Sequence, residues 1–268
     1  MTRIDDQFKR LAAEGSTAFM PFVTAGDPDL AFTAELLVEL DKSGCHLAEL
    51  GFPYSDPIAD GPVIQASFTR ALANKIRVEQ IFATVAKVTP GIEMPIVAMV
   101  SYALIFRFGA EAFVKQAKSS GIAGAIVPDL PCEEAADFAN LCRGQDFNLV
   151  QLITPTTPDD RAIEIAKLST GFIYYVSVAG VTGEKSELPP ELASRINWLK
   201  QQTDTPVCVG FGIGRPEQAK ILQPHAEGVI VGSAIVKRLA ATTESNRSQV
   251  KADIADFART MVDALKKH

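Results

Sequence analysis

One carboxylate of the chain lies within an apolar run, and its position indicates proton-transfer chemistry. Glu49 belongs to the run CHLAEL and opens the segment ELGFPYSDPIADGP. Side chains alternate along a strand, so Glu49 and Gly51 would share one face and Leu50 and Phe52 the other. The second face suits packing against helices, so Glu49 should point inward, where desolvation raises the pKa of a carboxyl toward neutrality. Such a group can both give and take protons.

A second carboxylate follows on a restricted loop. Asp60 comes eleven residues after Glu49, and Pro57 and Pro62 limit the backbone on either side of it. The loop can therefore hold Asp60 over the end of the strand that carries Glu49.

Three other aspartates lie near predicted strand ends. Asp56 competes with Asp60, but an aspartate directly before a proline more often caps a turn. Asp27, before Pro28, is expected to cap the helix that follows it. Asp129, in the segment VPDLP, could serve a loop or an interface.

Enzymes commonly cleave carbon–carbon bonds with a Schiff-base lysine or a metal ion, and this sequence offers few residues suited to either. No predicted strand ends in lysine, and Lys185 lies on a long loop. His46 and His225 precede strands, and His268 is the last residue. The sequence has no H-x-x-x-H motif and its four cysteines form no C-x-x-C pair. We therefore predict no metal site, and carboxylate chemistry remains.

Eight short apolar runs must position these side chains, and each is followed by a polar, amphipathic segment. The runs are nearly continuous in apolar residues, as strands buried on both faces of a parallel sheet require. They are AFMPFVTA, HLAELGF, PIVAMVSY, AGAIVPDL, NLVQLIT, FIYYVSV, PVCVGFGI and GVIVGS. With an extra N-terminal helix from about residue 4 to 14, they predict an α/β fold, the (β/α)8 TIM barrel. An open doubly wound sheet is the alternative, but no G-x-G-x-x-G follows the first run.

Helix starts and chain organisation agree with this prediction. Prolines follow Asp27, Thr157 and Arg215, and PPEL stands at 189–192, all typical first-turn positions. No linker or low-complexity tract interrupts the chain, so residues 1–268 should form a single TIM-barrel domain.

Glycine-rich segments follow the last three predicted strands. They are AGVTG (179–183), GFGIG (210–214) and VGSA (231–234). Glycine lets backbone N–H groups approach a phosphate closely, and a helix starting at Ser233 would direct its positive end at the same anion. Each segment alone could serve only turn geometry. Together, on the loops where barrels commonly bind phosphate, they predict a phosphate site.

Composition excludes other function classes. The formal charge of −6 leaves no basic face for a nucleic acid backbone. No apolar run reaches about 18 residues, and the charged N-terminus has no signal-peptide core, so we expect a cytoplasmic protein.

The segment ELGFPYSDPIADGPVIQ, with PFVTAGDP, AGVTG, GFGI and GSAIVK, resembles the tryptophan synthase alpha subunit family. The motifs occur in order from end to end of the chain. The resemblance implies retro-aldol cleavage of indole-3-glycerol phosphate to indole and glyceraldehyde 3-phosphate. It implies that Glu49 is the general acid–base, and that Asp60 binds the indole N–H and stabilises the positive ring.

The same resemblance implies the remaining site residues. The phosphate contacts would be Gly183, Gly212, Gly232 and Ser233. The indole pocket would be formed by Phe22, Val100, Tyr102, Val127, Ile153, Tyr174 and Phe211. Thr182 would close the sixth loop around Asp60. Gly214 stands where the family often has a helix-capping serine, which leaves the cap of the seventh barrel helix open.

The family also implies a partner. This would be a beta subunit that receives indole in an αββα heterotetramer, with pyridoxal phosphate held by that subunit and no cofactor in this chain. The proline-rich loop with Asp56 and the segment with Asp129 are the candidate interface positions.

Two other functions remain open at this point. Another sugar-phosphate barrel enzyme, such as an isomerase acting on an aminoaldose phosphate, would share the phosphate loops. A non-catalytic subunit that only activates a partner would be expected to lack Glu49 or Asp60, and both are present.

Overall fold

The computed structural model describes residues 2–57, 60–177 and 189–266. The sheet is wholly parallel and has nine strands in the described ranges. These are β1 (Ala18–Thr24), β2 (Ala48–Gly51), β3 (Ile96–Met99), β4 (Ile122–Ile126), β5 (Asn148–Val150), β6 (Leu152–Ile153), β7 (Ile173–Val176), β8 (Val207–Gly210) and β9 (Gly228–Val231). Every predicted run contains a strand, and one run contains two.

The strands form a nearly closed barrel. Their order is β5-β4-β3-β2-β1-β9-β8-β7-β6, so β5 and β6 occupy the two ends of the row. Only Gln151 separates these two strands in the chain, so they act as one interrupted barrel strand. The (β/α)8 TIM barrel predicted from the sequence is confirmed.

Helices cover the outside of the barrel. In the described ranges they are α1 (Arg3–Glu14), α2 (Leu30–Lys42), α3 (Pro62–Ala73), α4 (Val78–Val88), α5 (Tyr102–Phe108), α6 (Ala110–Ser119), α7 (Ala136–Gly144), α8 (Asp159–Leu168), α9 (Leu192–Lys200), α10 (Pro216–Leu222), α11 (Ser233–Leu239) and α12 (Arg247–Ala264), with a 3-10 turn at Thr89–Gly91. None of them is long and apolar enough to cross a membrane. The extra N-terminal helix is α1, which begins with a capping box between Thr2 and Asp5.

The strand register shows which residues of the neighbouring strands point into the barrel together with Glu49. Phe22 of β1 lies opposite Glu49, and Glu49 lies opposite Val97 of β3. Side chains that face each other across a parallel pair share a face, so Phe22 and Val97 point inward with Glu49. Phe52 points outward and contacts the helix residues Phe82 and Phe113 at ring distances of 5.6 and 6.2 Å.

Three predicted helix starts need correction, and one of them is α9, which begins at the last residue of PPEL and not at its prolines. Asp29, and not Asp27, caps α2, because the Asp29 carboxylate accepts the Phe32 N–H at 2.8 Å. Helix α8 begins one residue later than expected, with Pro158 at its cap position. Helix α10 starts at Pro216 as predicted.

Candidate active site

A cavity lies at the carboxyl ends of the strands, and both predicted acids line it. Glu49 and Asp60 both contribute to its lining. Its remaining lining is apolar except at one end, where Gly212, Gly232 and Ser233 meet. The apolar lining residues are Phe22, Ile64, Met99, Ile126, Pro128, Leu152, Tyr174, Phe211, Ile213 and Ile230.

Glu49 is a buried carboxyl. It is 1% exposed within β2, and its side chain makes no hydrogen bond to the described part of the chain, while its backbone lies in the sheet. Burial is the main cause that raises its pKa to about 8, and the neighbouring charge of Asp60 adds to the effect. Near neutral pH Glu49 therefore holds a proton.

Asp60 is also buried, and its loop is held at several points. Its backbone N–H donates to the Pro57 carbonyl at 3.1 Å, and the Gln65 side-chain amide donates to the Asp60 carbonyl at 2.7 Å. The Tyr54 hydroxyl lies 3.5 Å from the carboxylate, at the limit of a hydrogen bond, and the Tyr54 ring packs on Phe68. Burial raises the pKa of Asp60 to about 6, against the lowering effect of Tyr54.

The two carboxyls therefore differ in charge over a range of pH. Between about pH 6 and 8, Asp60 is ionised and Glu49 is protonated. Separated pKa values in one cavity are the usual way in which two carboxyls take an acid role and a charge-stabilising role.

Three aromatic side chains that the resemblance assigns to the pocket, Phe22, Tyr174 and Phe211, line the cavity. Tyr174 and Phe211 meet edge to face with ring centroids 5.8 Å apart. Gly210 leaves the space that the Tyr174 ring fills, since a Cβ there would overlap the hydroxyl. Phe22 contacts Phe68 of α3 at 6.5 Å. Together they form an apolar slot beside the acids.

Three other pocket positions that the resemblance implies are not among the residues that line this cavity. Val100, Val127 and Ile153 are buried, but the cavity is lined instead by the residues that precede them. Those are Met99, Ile126 and Leu152. The cause is strand parity: Met99 lies opposite Gly51 and Ile126 opposite Met99, so these positions share the face of Glu49.

Tyr102 and Asp129 meet outside the cavity. The Tyr102 N–H donates to the Asp129 carboxylate at 2.7 Å, and the Ser101 hydroxyl donates to the same carboxylate at 2.6 Å. Asp129 therefore joins its loop to the start of α5, and the Tyr102 ring packs on Phe138. Asp56 is exposed and accepts from the Ser55 hydroxyl at 2.6 Å.

The glycine-rich end of the cavity offers unpaired amides. In the described part of the chain, the N–H groups of Gly212, Ile213, Gly232 and Ser233 have no acceptor. Helix α11 begins at Ser233, as predicted, and adds the positive end of its dipole. This end of the cavity can therefore hold an anion. Gly183 and Thr182, the other predicted loop residues, lie outside the described residues.

An ion pair between a buried aspartate and a partly exposed arginine ties the helix after the Asp60 loop to the barrel. Asp27 is 1% exposed and accepts from Arg70 of α3 at 2.9 and 2.6 Å. Ser67 of α3 donates to Thr24 of β1 at 2.7 Å and also contacts Asp27. Because α3 directly follows the Asp60 loop, this network fixes where that loop begins its helix. The sequence offered no signal for it beyond the presence of Asp27.

Known proteins resemble this chain over its length. A family model described as tryptophan synthase alpha chain matches residues 8–266. The tryptophan synthase alpha chain of Rhodopirellula baltica is 47% identical over 251 residues, which is 92% of this chain and 90% of that one. The alpha chain of Rippkaea orientalis is 45% identical over 268 residues, covering 100% and 99% of the two chains.

Solved structures agree with these matches. The tryptophan synthase subunit alpha of Legionella pneumophila superposes with a TM-score of 0.89 at 34% identity, covering 99% of this chain and 98% of that chain. A chain of Mycobacterium tuberculosis tryptophan synthase superposes with a TM-score of 0.89 at 29% identity and covers 100% and 99%.

Proposed function

The chain belongs to the tryptophan synthase alpha chain family, and on that premise we propose that it cleaves indole-3-glycerol phosphate to indole and glyceraldehyde 3-phosphate. One observation carries the proposal: a protonated Glu49 and an ionised Asp60 line one apolar cavity whose far end presents unpaired amides. This matches a substrate with a flat apolar ring, a glycerol chain and a phosphate.

Glu49 acts as the acid and then the base. Its proton goes to C3 of the indole ring, and the ring becomes positively charged. The hydroxyl proton next to the breaking bond then passes to the Glu49 carboxylate as the C–C bond electrons return to the ring. Indole and an aldehyde result, and Glu49 ends protonated, as it began. The raised pKa of Glu49 suits both transfers.

Asp60 stabilises the intermediate. An ionised carboxylate that accepts the indole N–H lowers the energy of the positive ring, and it does so most strongly in a cavity from which water is excluded. Its position over the cavity supports this role, because the Gln65 and Pro57 contacts fix its backbone.

The remaining lining residues bind the substrate. Phe22, Tyr174 and Phe211 would hold the ring, and Gly212, Gly232 and Ser233 the phosphate. Gly183 would add to the phosphate contacts and Thr182 to closure of the site over Asp60. The protonated ring accepts the electrons of the breaking bond, so the reaction as written needs no cofactor in this chain.

We also propose a beta-subunit partner in an αββα heterotetramer, which would use the indole and carry the pyridoxal phosphate. The candidate surface contains Asp56, Asp129 and α5, where Phe106 is 75% exposed. A place in this biosynthetic assembly is consistent with a cytoplasmic location.

Indole release tests the proposal. The purified chain, alone and with a cognate beta subunit, should release free indole from indole-3-glycerol phosphate. Glu49→Gln should lower the rate by about 100-fold or more, since a general acid–base group contributes at least that much. Turnover of an aminoaldose phosphate without indole release would support another sugar-phosphate enzyme, and an unchanged Glu49→Gln rate would support a non-catalytic subunit.

A further inference from the structure

The turn after β8 has an unusual backbone. Phe211 has a φ of +72° and Gly212 has a φ of +75°. Glycine adopts such a conformation readily, but phenylalanine does so at a cost and needs surroundings that enforce it. Both residues line the cavity, so the enforced turn belongs to the wall that would face the phosphate.

Ser177 holds the first residue of this turn. Its hydroxyl donates to the Phe211 carbonyl, and its N–H donates to the Gly210 carbonyl at 2.9 Å. Ser177 is 1% exposed, so water competes little for these bonds. The end of the seventh strand segment is thereby fastened to the turn after β8.

Gln218 holds the rest of the turn. Its side-chain oxygen accepts the N–H groups of Gly214 and Arg215 at 2.9 and 3.2 Å, and its amide donates to the Gly212 carbonyl at 3.4 Å. Gln218 is 5% exposed on the first turn of α10. Gln218 thereby completes a capping box with Arg215, the N-cap residue of α10.

These contacts leave the anion-binding groups of the turn unpaired. Ser177 and Gln218 occupy the carbonyls of Phe211 and Gly212, while in the described ranges the N–H groups of Gly212 and Ile213 meet no acceptor. The turn is thus fixed through its carbonyls, and its amides stay free for an incoming anion. Pre-formed donors bind an anion without first having to be ordered.

We propose that Ser177 and Gln218 are positioning residues for the phosphate of the substrate, acting through the Phe211–Gly212 turn. The inference rests on the proposed function for the identity of the anion. Neither side chain touches the substrate; each holds backbone that does. Loss of either should weaken phosphate binding and leave ring binding almost intact.

Binding of two substrate fragments separates this role from a general loss of structure. Calorimetry would measure sn-glycerol 3-phosphate and indole with the wild type, Ser177→Ala, Ser177→Thr and Gln218→Met. Ser177→Ala should weaken glycerol 3-phosphate by about 5- to 10-fold, the size expected for one hydrogen bond. Indole affinity should change by less than about twofold, and Ser177→Thr, which keeps the hydroxyl, should restore phosphate binding.

Ser169→Ala is the matched control. Ser169 is also buried, at 5% exposed, and its hydroxyl donates to a backbone carbonyl, that of Ile165, at 2.9 Å. It lies just before β7, at the opposite end of the barrel from the cavity. Its removal should therefore lower stability without weakening glycerol 3-phosphate binding.

The steady-state rates give a second readout. In Ser177→Ala and Gln218→Met the KM for indole-3-glycerol phosphate should rise by about 5- to 10-fold with kcat within about twofold, because ground-state phosphate binding is lost. If Ser177→Ala does not fold, Gln218→Met decides the question alone.

Two results would overturn the inference: wild-type glycerol 3-phosphate affinity in folded Ser177→Ala and Gln218→Met, or a loss in Ser169→Ala equal to theirs. If the wild type releases indole and Ser177→Ala still binds glycerol 3-phosphate normally, the positioning role is refuted and the proposed reaction is kept. A chain whose phosphate binding depends on Ser177 but which releases no indole keeps the positioning role and refutes the proposed reaction.

Discussion

Replacing Glu49 with glutamine should remove one specific pH dependence from the folding equilibrium. In the unfolded chain a glutamate ionises near its ordinary value of 4.5, whereas burial raises the pKa of Glu49 in the folded chain to about 8. Between these values the folded state holds one more proton than the unfolded state. The stabilising contribution of this carboxyl is therefore complete below pH 4.5 and is lost as the pH rises through about 8.

The magnitude follows from the width of that window. One proton bound in only one state changes the free energy of unfolding by about 1.4 kcal/mol per pH unit. From pH 4.5 to about 8, the wild type should lose up to about 5 kcal/mol relative to Glu49→Gln. That is a large share of the roughly 5–15 kcal/mol that keeps a domain folded. Above pH 8 the difference should be constant.

Urea unfolding at pH 5, 6, 7, 8 and 9 measures this difference. Other titrating groups contribute to both proteins, so their effects largely cancel. The free energy of unfolding of the wild type should depend more strongly on pH. Relative to it, the free energy of unfolding of Glu49→Gln should rise steadily up to pH 8. A difference between the two proteins that does not change from pH 5 to 8 would refute the idea that Glu49 stays protonated when folded.

Four further outcomes are expected. Asp60→Asn should keep the fold by circular dichroism but lower kcat for indole release by about 100-fold or more; retention of the wild-type rate would contradict the charge-stabilising role. The pH profile of kcat/KM should be bell-shaped with limbs near 6, where Asp60 ionises, and near 8, where the buried acid loses its proton; a profile flat across this range would exclude both assignments. Gly51→Ala should cost about 1–3 kcal/mol in urea unfolding, because a Cβ there lies 2.5 Å from the Phe22 ring, and Phe22→Leu should recover part of the loss. Arg70→Met leaves Asp27 buried without its cation and should cost about 2–3 kcal/mol, less than a fully buried pair because Arg70 is 38% exposed; a change below about 0.5 kcal/mol would show that the pair contributes little.

Local pattern was sufficient for the barrel and for the direction of Glu49. Side chains alternate along one strand, so Glu49 and Leu50 point to different faces of the sheet whatever the neighbouring strands do. The position of Asp60 could also be predicted from the sequence, because prolines restrict the loop that carries it. Near-continuous apolar runs followed by amphipathic segments leave two main folds, the parallel barrel and the doubly wound sheet, and eight such units without a G-x-G-x-x-G after the first run favour the barrel.

Features that depend on the register or on tertiary contacts could not be predicted from the sequence. The residues that line the cavity precede Val100, Val127 and Ile153 by one position, because the face of a strand end is fixed only when its pairing with the next strand is known. Asp27 was expected to cap a helix, but its ion pair with Arg70 crosses 43 positions of the chain, a separation that no local pattern reveals. The positive φ of Phe211 could not be predicted either, because glycine is the residue that signals such a backbone conformation in a sequence.

The most direct measurement is the titration of the Glu49 carboxyl itself. In protein labelled with ¹³C at the glutamate side-chain carboxyls, the resonance absent from Glu49→Gln identifies Glu49, and its chemical shift can be followed against pH. We predict a midpoint near pH 8 in the folded chain. A midpoint at pH 4 to 5, close to that of a solvated glutamate, would contradict the claim that this side chain enters the reaction as a protonated acid.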